Sequence, residues 1–127
     1  LEFRRVLFRS NFIEKSLDDA EEVKCILPFF HENFNDKLND LVKNSKKVEV
    51  MAPLGLFEVF DEKSEIEKLS FFSSEKTFLL IITNESMILG LFKEDGSFDQ
   101  NRLLTSKNID SINWANNLYE NFKIENK

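Results

Sequence analysis

Residues 23–53 read VKCILPFFHENFNDKLNDLVKNSKKVEVMAP, and the periodicities inside this stretch decide the fold. The first part, residues 23–30, is short, apolar and stopped by Pro28, which is the pattern of a strand. Asn33 has the chemistry of a helix N-cap. Phe34, Leu38, Leu41 and Val42 then fall at i, i+4, i+7 and i+8, a single apolar stripe along one helix face. Lys46 and Lys47 close that segment, and residues 48–52 read as a second strand ending at Pro53. A strand–helix–strand unit with short connections predicts a parallel pair joined by a right-handed crossover.

Working outward, residues 11–20 place Phe12, Ile13 and Leu17 at helical spacing. Residues 54–60 predict a short apolar helix, followed by a charged surface stretch over 61–68. Three strands are expected over 69–73, 78–83 and 87–92, the last two joined as an antiparallel hairpin through Asn84, Glu85 and Ser86. A second turn spans 94–97, with Gly96 supplying the permissive backbone, and residues 98–104 read as extended or irregular. A final helix starts near Asn108, with Ile109, Ile112, Ala115, Leu118, Tyr119 and Phe122 along one face. With no internal repeat and no low-complexity linker, the expectation is one α/β domain. Its mixed sheet would be built from a βαβ unit, a β-hairpin and a C-terminal helix.

The first ten residues, LEFRRVLFRS, stand apart. They hold Arg4, Arg5 and Arg9, while the rest of the chain has only Arg102 beside thirteen lysines. The string equals the conceptual translation of a standard short-read sequencing adapter, so residues 1–10 are expected to be non-native and residues 11–127 to be the domain. Without Glu2 and those three arginines the formal charge goes from −6 to −8. An acidic domain repels phosphate backbones, so this part is not expected to bind nucleic acid by itself. No apolar run approaches a membrane span, and the longest is 78–82. Cys25 is the sole cysteine and cannot form an internal disulfide; its apolar neighbours suggest a buried thiol in a reducing, cytoplasmic setting.

Side chains able to carry chemistry are few. There is one histidine, His31, and His31-Glu32-Asn33 fails the His-x-Lys pattern of a phosphodiesterase half. His31, Glu32 and Asp36 lie close in sequence, but a solvated helix start explains them better than a metal site. Asp18-Asp19 precedes the first strand rather than following it and reads as a charged helix end, not a phosphoryl-receiver pair. The stretch 94–99 lacks the earlier carboxylates of a calcium loop and reads as a plain turn. No nucleophile elbow or glycine-rich phosphate loop is present, so no catalytic residue, cofactor or metal is expected. Arg102 has two readings: a structural pair with Asp95 or Asp99, or an anion-binding fork. Trp114 sits off the helical stripe, as a core-edge residue does.

Several motifs together resemble one family. They are Gly90-Leu91-Phe92 with Asp95-Gly96-Ser97-Phe98-Asp99, then Arg102-Leu103-Leu104, then Trp114-Ala115 with Leu118-Tyr119 and Phe122. Pro28-Phe29-Phe30-His31 and Ile82-Thr83-Asn84 add to them. The chain from Asn11 to Lys127 is similar to the sensor domain of methanogen-type archaeal winged-helix transcription regulators, the methanogenesis regulatory protein family. Ala115 stands where that family carries glycine, and the 54–68 segment is short for it. The resemblance implies a fold distantly like a phospholipase D half without catalytic residues. It also implies a two-part protein, in which an N-terminal winged helix binds DNA while this part senses a small molecule or forms a homodimer. An interaction domain without a ligand is the other reading. Ligands of such sheets sit beyond the C-terminal ends of parallel strands. The expected site is therefore Phe29, Phe30, His31 and Pro53, with Arg102 pairing an anionic effector.

Overall fold

A computed structural model describes residues 4–6, 10–73 and 78–126. In chain order the elements are β1 (Arg4–Val6), α1 (Ser10–Ser16), β2 (Glu22–Ile26), α2 (Glu32–Lys43) and β3 (Lys47–Pro53). A 3-10 turn (Leu54–Leu56) leads into α3 (Phe57–Lys63), followed by β4 (Lys68–Phe72), β5 (Leu79–Thr83), β6 (Met87–Phe92), β7 (Phe98–Ser106) and α4 (Ile109–Glu125). The strands form one mixed sheet in the order β1-β7-β6-β5-β2-β3-β4. β2, β3 and β4 are mutually parallel, and every other pairing is antiparallel. The parallel β2–β3 pair and the β5–β6 hairpin are as the periodicities predicted.

Each face of the sheet carries its own core, because side chains alternate along a strand. Val23 and Cys25 of β2, with Leu79 and Ile81 of β5, pack against Ile13 and Leu17, α2 and α3. Ile26, Leu80 and Ile82 point the other way, onto Ile112, Ala115, Tyr119 and Phe122 of α4. Burial pushes the Cys25 thiol well above its ordinary range, so it stays a neutral apolar group. Ile109 is the exception to the expected stripe of α4. It is 65% exposed at the very start of the helix, beside the Asn108 cap that accepts from the Asp110 N–H at 2.8 Å, while Ser111 and Ile112 of the same turn are buried.

Three further expectations are corrected. The strand predicted over 23–30 ends at Ile26, since Pro28 cannot donate to the ladder. The N-cap of α2 is His31 rather than Asn33, its Nδ1 accepting from the Phe34 N–H at 3.3 Å. The charged stretch after Phe60 is partly helix, and it carries the chain over to β4 as a second parallel crossover. That crossover is held by two asparagines on α2. Asn35 and Asn39 donate to the Lys63 carbonyl at 2.9 and 3.0 Å, and Asn39 accepts from Glu65 N–H at 2.8 Å. The two amides thus cap the unsatisfied end of α3.

Two local conformations matter later. α2 ends in a Schellman arrangement, with Lys46 N–H on Leu41 O at 3.0 Å and Ser45 N–H on Val42 O at 3.0 Å. Its left-handed residue is Ser45, with φ of 62°, where glycine is the usual choice. β6 and β7 also slip past each other: Gly90 faces Leu103 and Phe92 faces Phe98, so Asp99 to Arg102 bulge opposite Leu91 alone. Gly90 is required beside that slip, because a Cβ there would lie 2.7 Å from the Phe98 ring.

β1 adds three residue pairs to the outer edge of β7 at Leu103, Leu104 and Thr105. Residues 1–3 and 7–9 of the expected non-native segment lie outside the described residues. Among the described residues β1 pairs only with β7, at the edge of the sheet, and we propose that residues 1–10 are not needed for the fold. Deleting them is expected to change the free energy of urea unfolding by no more than about 0.5 kcal/mol. A loss of several kcal/mol would make them part of the folding unit.

Candidate functional site

The parallel strands deliver two prolines to one end of the sheet. β2 runs out into Pro28-Phe29-Phe30-His31 and β3 ends at Pro53, with Leu27 N–H on Met51 O at 2.9 Å holding the two exits together. Phe29 stands edge-on to Phe98 at 5.2 Å between ring centroids, and Phe98 to Phe92 at 5.5 Å. On the other side Phe30 meets Phe60 at 5.2 Å, and Phe57 meets Phe71 at 5.2 Å. Phe29, Phe30, His31 and Pro53 are all half-buried, so this end is an aromatic rim rather than a sealed core. Beneath Phe29, His31 and Phe34 lies an apolar recess of about 20 Å³, walled by Ile13, Leu79 and Ile81.

Capping fixes the chemistry of His31. Its Nδ1 must be bare to accept the Phe34 N–H, so in the neutral ring the proton sits on Nε2 and can be donated. The rim therefore offers aromatic faces and one hydrogen-bond donor. Arg102 is not brought to it directly. It lies in the bulge that follows Phe98, is 68% exposed, and directs Nε to Asp99 Oδ2 at 3.7 Å, one of the two structural pairings anticipated for it. The turn before it is closed by Asp95, which accepts from the Ser97 N–H at 2.9 Å and hydroxyl at 2.6 Å. Those bonds hold the Asp95 carboxyl below its usual range. Among the described residues no group of three His, Cys, Asp or Glu gathers to hold a metal.

A second polar cluster escaped the sequence reading. Glu49, in the middle of β3, faces α4 and accepts hydrogen bonds from the Tyr119 hydroxyl and, at 3.3 Å, from Lys123 Nζ. Lys24, its neighbour on β2, reaches Asn116 Oδ1 at 3.4 Å and Glu120 at 3.8 Å, and lies 5.9 Å from the centre of the Tyr119 ring. Burial alone would raise the Glu49 carboxyl, but the Tyr119 and Lys123 bonds and the charges of Lys123 and Lys24 outweigh it and hold it low. Burial and then the Glu49 bond push the Tyr119 phenol far up, so it remains a donor. The signal was present as a lone glutamate inside Val48-Glu49-Val50 and a single tyrosine on the buried stripe of the last helix.

A mixed sheet with helices on both faces and an aromatic rim at one end defines an α/β domain. The chain belongs to the family of the middle domain of the methanogenesis regulatory protein FilR1, whose sequence profile matches residues 9–125. The family expected from the motifs is thereby established. Among solved structures it is similar to TrmBL2, described as an archaeal chromatin protein with a novel mode of DNA binding. The two superpose with a TM-score of 0.73 at 14% identity, over 99% of this chain and 53% of that one. The chain thus spans about half the length of TrmBL2, and the likeness is one of fold. No curated protein sequence matches it. No helix among the described residues is long and apolar enough to cross a membrane.

Tyr119→Phe removes a hydrogen bond to a charged acceptor without changing the packing, and is expected to cost about 1–2 kcal/mol at neutral pH. Glu49 titrates below its usual value in the folded protein. The stability this gives is complete above the ordinary carboxylate range and is lost as pH falls through the lowered folded value. The gap between parent and Tyr119→Phe in urea unfolding should therefore shrink in acid. A gap independent of pH would mean the hydroxyl does not act through the Glu49 carboxylate.

Proposed function

We propose that the domain is the effector-sensing and dimerisation module of an archaeal helix-turn-helix transcription regulator, without catalytic activity. On this reading it acts in the cytoplasm, and DNA is engaged by a separate winged-helix domain rather than by this acidic one. The observation that carries the sensing role is the half-open aromatic rim at the C-terminal ends of β2 and β3. Phe29 and Phe30 flank a histidine donor there, where the loops of such sheets receive ligands. The effector would be a small molecule with an apolar body on Phe29 or Phe30 and an acceptor for His31. An anionic group on it would compete with Asp99 for Arg102, whose side chain is exposed. Pro53 fixes the neighbouring strand exit.

An interaction domain with no small-molecule ligand is favoured instead by the exposed apolar side chains, since Leu54 is 59%, Phe57 47% and Leu91 49% exposed. The anionic apolar dye anilinonaphthalene sulfonate separates the two. Saturable binding to the folded chain is expected, weakened several-fold by Phe29→Ser and by Arg102→Lys, the latter keeping the charge but losing the planar fork. If both variants titrate like the parent, the rim is not the site. Dimerisation is read from sedimentation velocity. A two-fold pair is expected as concentration rises, and a strict monomer would remove that role from this domain.

A further inference from the structure

Two openings lie at the ends of α2. The wider, a groove of about 470 Å³ beside Ser45, is bordered by Glu22, Glu67, Lys47 and Lys68, and charges of both signs select no class of ligand. The narrower is more selective. The recess under the aromatic rim has a volume of about 20 Å³, walled by Ile13 of α1, Leu27, Phe34 of α2, and Leu79 and Ile81 of β5. All five belong to one core, on the side of the sheet away from α4, and none is more than 6% exposed. Phe29 and His31 complete the lining and are half-buried, so they stand between the recess and solvent.

Size and polarity decide what can enter. A water needs roughly 10–15 Å³ and about two to four polar partners. The recess is wide enough for one water, but its walls are hydrocarbon. The His31 ring is the only polar group among the lining side chains, and its Nδ1 is taken by the Phe34 N–H. One remaining nitrogen is too few to hold a water, so the recess favours an apolar occupant. Its volume admits a slender end group: a methyl, or the last two carbons of an unbranched chain. A tert-butyl group or an aromatic ring would have to displace walls packed in the core, and close-packed interiors yield little.

The position of the recess adds a second argument. Protein interiors leave few voids larger than a water, and this one lies directly under the half-open rim. Phe29 rests edge-on against Phe98, 5.2 Å between ring centroids, and is the recess's exposed wall.

We propose that the recess is the subsite that reads one end of the effector, which terminates in an unbranched alkyl group of one or two carbons. That group sits on Ile13, Leu79 and Ile81, beneath Phe29 and His31. The inference deepens the sensing role of the rim and rests on it for the rest of the effector; entry of an apolar group into the recess does not.

The test uses the whole chain, isotopically labelled at isoleucine and leucine methyls, in nuclear magnetic resonance. Under xenon pressure the methyls of Ile13, Leu27, Leu79 and Ile81 should shift saturably, while those of Leu80 and Ile112 in the opposite core stay in place. Butyrate and trimethylacetate carry the same carboxylate on a straight and a branched end. Butyrate should shift the recess methyls at about tenfold lower concentration than trimethylacetate. Ile13→Phe fills the recess from α1 and should remove the xenon shift; should it not fold, Leu27→Phe fills it from the strand exit. The inference is overturned if xenon leaves these methyls unmoved, if trimethylacetate binds as well as butyrate, or if a folded filling variant keeps the parent's xenon shifts. Xenon entry and preference for butyrate, with dye binding unaffected by Phe29→Ser, would remove the rim reading and keep the subsite.

Discussion

Burial of the middle strands on both faces is the constraint on which this fold depends. All five residues of β5, Leu79–Thr83, are buried, and β2 beside it buries Val23, Cys25 and Ile26. A strand covered on both sides is apolar except where a polar group is satisfied locally, as the Thr83 hydroxyl is by Ser86, because a polar group there loses water from both directions. Two helical layers then follow as a necessity. α1, α2 and α3 cover one side and α4 alone covers the other. A single helix cannot cover seven strands, and the polar positions of the sheet lie where α4 stops covering it.

Glu49 and Lys24 show how that boundary is managed. Both face α4 from strands that are otherwise core. A half-buried carboxylate is costly unless its lone pairs are taken, and here a phenol and an ammonium take them. Tyr119 joins both functions in one side chain, its ring in the core with Ile26 and Met51 and its hydroxyl on Glu49. Lys24 and Glu49 are therefore fixed in place from the α4 side.

The sequence made the strands legible where one rule governed them. Leu79 to Ile82 is an apolar run of strand length, Val48 to Ala52 is one broken only by Glu49, and the α2 stripe had no competing period. What stayed hidden depended on contacts distant in sequence. Asn35 and Asn39 interrupt a helix for reasons found on α3, and the slip that frees Asp99 to Arg102 answers to the Phe98 ring lying over Gly90. Arg102 was noticed because it is rare, but rarity does not give direction. Its pairing with Asp99 follows from the bulge, which no local pattern encodes. Phe29, Phe30, His31 and Pro53 were expected together from a rule about strand ends, and they do share that end of the sheet.

α2 runs between two openings, and its termini share a feature. It begins at a histidine cap and ends at a left-handed serine, where Ser, Thr, Asp or Asn and then Gly are the stabilising choices. Each departure lowers helix stability slightly, and each falls on a cavity: His31 over the apolar recess, Ser45 on the charged groove. The interior of the helix shows no such compromise, since Phe34, Leu38 and Leu41 pack as the stripe requires. Local preference is thus obeyed where only packing is at stake and set aside at both ends, where a side chain is presented to an opening. A helix of 12 residues, about 18 Å long, places those two compromises on opposite ends of one rigid element.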